Sequence, residues 1–107
     1  DNNDETTIKL TADIIELNNR GSSTITIAKD SIQLKESSVE IKLTSSSIEL
    51  INSPATIKLT NSNIESSVTP AKVEISASGV QIKSGGLGDI NVGLASVNVN
   101  NGALEVT

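Results

Sequence analysis

The chain has 107 residues, with 8 basic and 13 acidic side chains and a formal net charge of −5. It contains no Cys, His, Met, Phe, Trp or Tyr, which excludes disulfides, zinc–thiolate sites, histidine-based catalysis and aromatic stacking on bases or sugars. The net negative charge argues against a nucleic acid or an anionic membrane surface as partner, and no apolar run exceeds two residues, too short for a transmembrane helix.

A three-residue tag, aliphatic–polar–aliphatic, recurs along the chain. It occurs thirteen times, and in one tag Ser66 replaces the second aliphatic residue. The tags occupy 8–10, 15–17, 25–27, 32–34, 41–43, 48–50, 57–59, 64–66, 73–75, 80–82, 90–92, 97–99 and 104–106. Alternation of Ile, Val and Leu with polar residues predicts short β-strands with one apolar face.

The spacing of the tags is regular. Up to the tag at 97, steps of seven residues alternate with steps of nine or ten, so the full period is 16 or 17 residues, and the last step, to 104, is again seven. The links are rich in Ser, Thr, Asn, Asp and Gly, which favour turns. Pro54 and Pro70 each stand three residues before a tag, at a strand entrance that tolerates proline. These features predict a β-solenoid.

The predicted fold is all-β, an intertwined triple-stranded β-helix that forms a homotrimeric needle. Strands of about three residues enclose little core in one chain, whereas three chains wound around one axis share a core. A single-chain solenoid is the alternative, because one chain could then fold alone. The needle is expected to span 8–107 and to end in a blunt C-terminal tip, and 1–7 are interpreted as a lead-in from a larger protein.

The middle residues of the tags supply a second argument for intertwined chains. They alternate in sign in three of the pairs, Lys9 with Glu16, Lys42 with Glu49, and Lys58 with Glu65, whereas pairs such as Thr26 with Gln33 are neutral. In an intertwined trimer, consecutive tags of one chain lie beside their counterparts in the neighbouring chains, about 4.8 Å away. We therefore predict an interchain ladder of these six residues, worth about 0.2–1 kcal/mol per exposed pair. A generic solvated face is the simpler reading of the same charges.

The tag pattern, together with the tail segments 85–92 and 97–106, resembles the C-terminal needle of VgrG proteins of type VI secretion. It is equally similar to the needle of the central baseplate spikes of contractile-tailed phages. The resemblance covers residues 8–107. It implies a homotrimeric triangular β-helix that pierces a target membrane, either delivered into a target envelope after cytoplasmic assembly or held in a virion baseplate.

The resemblance also implies partners. The family carries a PAAR-repeat cap protein on its C-terminal end and joins the tail tube or baseplate through domains that precede the needle. Some phage spikes instead hold iron at the tip through histidines, which this chain lacks. The cap-binding platform is expected to comprise Val97, Val99, Leu104, Val106 and Thr107. We expect no cofactor, no metal site and no enzymatic activity.

Two other functions compete with the needle. A trimeric stalk of a phage tail fibre or adhesin would bind a receptor, usually through aromatic residues or a knob, which the sequence does not display. A polysaccharide lyase on a single-chain β-helix would need a longer chain and more basic residues. Receptor-dependent binding to whole cells would favour the stalk, and turnover of a polysaccharide would favour the enzyme.

Overall fold

The computed structural model describes residues 5–85 and 88–99, in which twelve strands are connected by short turns. The described residues contain no helix, so the all-β prediction is confirmed. The chain divides into two units, Asp1–Ser53 and Pro54–Thr107. Strands of the first unit are β1 Thr6–Leu10, β2 Ile14–Asn19, β3 Ser23–Ala28, β4 Ser31–Glu36, β5 Val39–Thr44 and β6 Ser47–Asn52. Strands of the second unit are β7 Ala55–Thr60, β8 Asn63–Val68, β9 Ala71–Ser76, β10 Gly79–Ser84, β11 Asp89–Gly93 and β12 Val97–Val99.

Each unit is an antiparallel meander in which every strand pairs with the next strand of the same chain. In the first unit the order is β1 through β6, and in the second it is β7 through β12. The sequence predicts neighbours from different chains, and this single-chain structure pairs the same tags within one chain. The triple-stranded helix therefore stays a prediction.

The alternating steps of the sequence repeat have a geometric origin in the meander. Most strands have six residues and are joined by two-residue links such as Ser37–Ser38 and Ser45–Ser46. The middle residue of a tag is not at the centre of its strand: Lys42 has three residues of β5 before it and two after it. Lys42 is therefore nine residues from Gln33, its partner on β4, and seven from Glu49, its partner on β6. Two-residue hairpins thus produce the observed period.

Two turns require unusual backbone conformations. Arg20 and Ser37 have φ of 55° and 54°, a left-handed region that costs free energy for residues with a Cβ. Gly79 has φ of 135°, and a Cβ there would overlap the carbonyl oxygen of Val92 on the paired strand β11. Only glycine fits at this position without moving the backbone.

No hydrophobic residue among those described is buried. A strand alternates its side chains between two faces, and a single layer of strands covers neither of them. The tags of each unit are therefore folded into regular strands without a hydrophobic core among the described residues, and the apolar surface they carry is exposed.

Candidate functional site

The first unit carries an aliphatic face made of two columns of side chains. The cross-strand register aligns the tags, so that each aliphatic residue lies directly opposite another one on the next strand. One column contains Ile8, Leu17, Ile25, Leu34, Ile41 and Leu50. The other contains Leu10, Ile15, Ile27, Ile32, Leu43 and Ile48. Their exposure runs from 37% at Leu43 to 72% at Leu10.

The second unit continues the same arrangement on its own strands. Its columns are Ile57, Ser66, Val73, Ile82, Ile90 and Val99, and Leu59, Ile64, Ile75, Val80, Val92 and Val97. Ser66 is the one polar member. A contiguous apolar surface of this kind marks an interaction site in a soluble protein, because burying each such side chain is worth about 1.5–3 kcal/mol.

The opposite face of each unit is polar and carries the middle residues of the tags. The register places Lys9 opposite Glu16, Lys42 opposite Glu49, and Lys58 opposite Glu65. None of these three pairs comes within ion-pair distance of 4.0 Å in the described part of the chain. The neighbours predicted for the ladder are therefore neighbours within one chain here. That they meet between chains stays a prediction.

The closest ion pairs of the described residues converge on Lys72, which sequence reasoning missed. Its Nζ lies 3.1 Å from Oε2 of Glu65 on β8 and 3.4 Å from Oε2 of Glu74 on β9. Asn63 Nδ2 donates a further hydrogen bond to Oε2 of Glu74 at 3.1 Å. Hydrogen bonds to Glu65 and then Glu74 raise the pKa of Lys72, and the hydrogen bond from Lys72 followed by its charge lowers the pKa of Glu74.

These shifts predict how stability depends on pH. The pKa of Glu74 lies below its ordinary value of 4.5, so its contribution is complete above pH 4.5 and is lost as the pH falls through the folded-state pKa. The pKa of Lys72 lies above its ordinary value of 10.5, so its contribution is complete below pH 10.5 and is lost as the pH rises through the folded-state pKa. We expect the unfolding free energies of the wild type and Lys72→Met, measured by denaturant titration, to differ most at neutral pH and to converge at both extremes. A difference independent of pH would contradict this assignment.

A Thr or Ser side chain stabilises four of the turns that follow an odd-numbered strand, those after β1, β5, β7 and β9. The sequence analysis did not assign this role. Thr60 Oγ1 accepts hydrogen bonds from the backbone N–H groups of Ser62 and Asn63, at 3.2 and 3.1 Å. Thr44 does the same for Ser46 and Ser47, at 3.3 and 3.1 Å. Thr11 accepts the same two bonds, from the N–H groups of Asp13 and Ile14, and Ser76 accepts one, from Ser78. The signal in the sequence is a hydroxyl residue directly after the tag, which such side-chain turns favour.

We expect Thr60→Val to destabilise the chain by about 0.5–1.5 kcal/mol, since valine keeps the shape and β propensity but accepts no hydrogen bond. Ala28 occupies the same position at the end of β3 and supplies the matched test. Ala28→Thr should restore the turn motif and stabilise the chain by a similar amount. Denaturant midpoints measure both variants, and equal effects of the same sign would contradict the role of the hydroxyl.

The predicted tip residues are only partly within the described chain. Val97 is 65% exposed on β12, and Val99 ends the same strand, paired with Ile90 of β11. Leu104, Val106 and Thr107 lie outside the described residues. The cap-binding role of all five stays a prediction.

Neither a metal-binding cluster nor a membrane-spanning helix occurs in the described residues. No three Asp or Glu side chains cluster there as a metal site would need. The same residues include no helix with the length and apolarity to cross a membrane. The feature left to explain is therefore the pair of aliphatic faces.

The comparison with protein families gives this surface a context. Residues 63–105 match the phage baseplate V C-terminal trimerisation domain. The match begins at the first residue of β8 and confirms the resemblance to a central spike needle drawn from the tags. Searches of curated proteins and of solved structures gave no match. The trimerisation domain supports homotrimer formation and a structural role in a phage baseplate or spike.

Proposed function

We propose that the protein is the needle of a contractile injection machine, in which three copies turn their aliphatic faces towards a common axis. The observation that carries this proposal is the uncovered aliphatic face of the segment that matches a trimerisation domain. A trimer supplies the missing second layer from identical surfaces. Folding and association are then one event, because an isolated chain leaves the face in water.

The three chains of the needle are intertwined in this proposal. When identical copies exchange strands, the same pairs of strands form as in the single chain, but the two strands of a pair come from different copies. Lys42 and Glu49, opposite each other in the meander, then form part of an interchain ladder. Threading of the chains through one another slows unfolding, which suits a part that bears mechanical load.

The machine is either a type VI secretion system, with the chain as the needle of a VgrG protein, or a phage baseplate with a central spike. In both, the needle pierces a target membrane and joins a tail tube or baseplate through preceding domains. The C-terminal end binds a PAAR-type cap through Val97, Val99, Leu104, Val106 and Thr107. The protein acts mechanically and carries no enzymatic activity. It resides in the virion baseplate, or is delivered into a target envelope after cytoplasmic assembly.

The solution mass tests this proposal most directly. Sedimentation equilibrium with interference optics is suited to a chain that lacks Trp and Tyr. We expect a species of three times the chain mass of 11.1 kDa in the absence of any cap. A folded, β-rich monomer would overturn the needle. A trimer that binds whole cells through a defined receptor would favour the stalk of a fibre or adhesin instead.

A further inference from the structure

Two pairings of the second unit place like charges opposite each other: two glutamates between β8 and β9, and Lys72 and Lys83 between β9 and β10. Glu65 lies directly opposite Glu74, and Ser66, which faces Ile57 of β7 on its other side, lies opposite Val73. Like charges directly opposite each other destabilise an antiparallel pair. In the first unit, by contrast, the middle residues of the tags place no two like charges opposite each other.

A slip of two residues would relieve the repulsion between the carboxylates. Such a slip keeps each side chain on its own face, whereas a slip of one residue would exchange the faces. Moving β9 by two positions would bring Lys72 opposite Glu65 and Val73 opposite Ile64. It would also separate Ile64 from Ile75, the aliphatic pair of the observed register. The slip would leave Ile75 opposite Ser62, whereas the observed register pairs Ile64 with Ile75 and also Val68 with Ala71. Aliphatic pairing therefore favours the observed register, and direct charge pairing favours the slipped one.

Lys72 removes this conflict in the observed register. It lies opposite Ser67, one position along the polar face from the two carboxylates. From there its ammonium group reaches Glu65 diagonally across the strands and Glu74 along its own strand, at 3.1 and 3.4 Å. Its side chain is 30% exposed, and those of Glu65 and Glu74 are 33% and 27% exposed. Partial burial of this kind reduces screening by solvent relative to a fully exposed pair.

We propose that Lys72 fixes the register of β8 and β9 by bridging Glu65 and Glu74, which the aliphatic columns force to face each other. The three residues form a register clamp at the start of the segment that matches the trimerisation domain. This inference goes beyond the proposed function, because it concerns how a repetitive sequence selects one strand pairing. It holds whether β8 and β9 belong to one chain or to neighbouring copies.

The test compares Lys72→Met with Lys58→Met by amide hydrogen exchange on the full chain. Lys58 is the matched control, since it lies opposite Glu65 on the other side but forms no ion pair within 4.0 Å in the described residues. We expect Lys72→Met to speed exchange in β8 and β9 by about threefold or more and to weaken the cross-strand NOEs between residues 64 and 75. Lys58→Met should change both less than Lys72→Met does, because Lys58 bridges no pair of carboxylates. Equal effects of the two substitutions would overturn the proposal.

A second comparison separates the clamp from any other role of Lys72. In the background Glu65→Gln with Glu74→Gln there are no carboxylates to bridge, so Lys72→Met should have little further effect on exchange. If Lys72→Met alone fails to fold, recovery of folding in this neutral background supports the clamp. An unchanged effect of Lys72→Met in the neutral background, or failure of that triple variant to fold, would overturn it.

Discussion

Ile32→Asp is expected to abolish the trimer, while Gln33→Asp on the same strand leaves it intact. Ile32 lies in the aliphatic face and Gln33 in the polar face. Three carboxylates around a common axis would each lose hydration worth several kcal/mol without a partner. An aspartate at position 33 would lose the hydrogen bond that Gln33 donates to Glu40, but it would lie on the polar face opposite Lys42. Sedimentation and circular dichroism measure the outcome, with loss of both mass and β structure expected for Ile32→Asp.

The two substitutions are matched in the residue introduced and in the charge added, and they differ in the face that receives it. A general intolerance of β4 towards aspartate would therefore affect both variants. Retention of a trimer by Ile32→Asp would mean that the aliphatic face is not the surface that associates. Loss of the trimer in both variants would point to the strand itself rather than to its apolar face.

The second large effect is a covalent link between chains. Thr26 and Gln33 are directly opposite on β3 and β4, where Cβ atoms of paired residues lie about 4.5–5.5 Å apart, close enough for a disulfide after a small adjustment. The chain has no cysteine of its own, so a double variant with Thr26→Cys and Gln33→Cys forms only the designed bond. For intertwined chains we expect oxidation to produce covalent trimers on a denaturing, non-reducing gel.

The control for this experiment is Thr26→Cys with Glu49→Cys. These positions lie in the same polar row but three strands apart, about 14 Å at the usual strand spacing, so no disulfide between them is expected. Oxidised monomers of the Thr26 and Gln33 variant, recovered from a trimer, would show that each meander keeps its own strands. In that case three unexchanged sheets would form the sides of the needle, and the interchain ladder would be wrong.

Much of the fold is contained in the tags. The alternation in Ile41–Lys42–Leu43 and its repeats predicts strands with one apolar face. The structure confirms this, because the aliphatic residues of the tags lie on one face of the paired strands. The sequence does not decide which chain supplies the neighbouring strand, because two-residue hairpins and interchain crossovers have the same period. Pairing Lys42 with Glu49 satisfies both arrangements equally, so the charge alternation does not distinguish them.

The details missed by sequence reasoning depend on diagonal and local contacts. Lys72 stands outside the middle row of the tags, and its bridge to Glu65 requires knowledge of the register between β8 and β9. The hydroxyl of Thr60 acts on the backbone of its own turn, a contact that leaves no trace in hydrophobic periodicity. The sequence shows that Ser66 stands where the other tags have an aliphatic residue, but it does not show that Ser66 lies opposite Val73.

The two-residue links also make the length of the molecule adjustable in fixed increments. The segment Ser23–Ser38 contains β3, β4 and the two links that follow them. Its removal would bring Val39 to the position that Ser23 holds, its duplication would insert two more strands before Val39, and both changes leave the aliphatic columns in phase. An insertion of an odd number of residues within a strand would instead turn the following tags to the wrong face. A lineage can therefore lengthen or shorten such a protein by copying or losing whole repeats, without changing the alignment of the aliphatic columns.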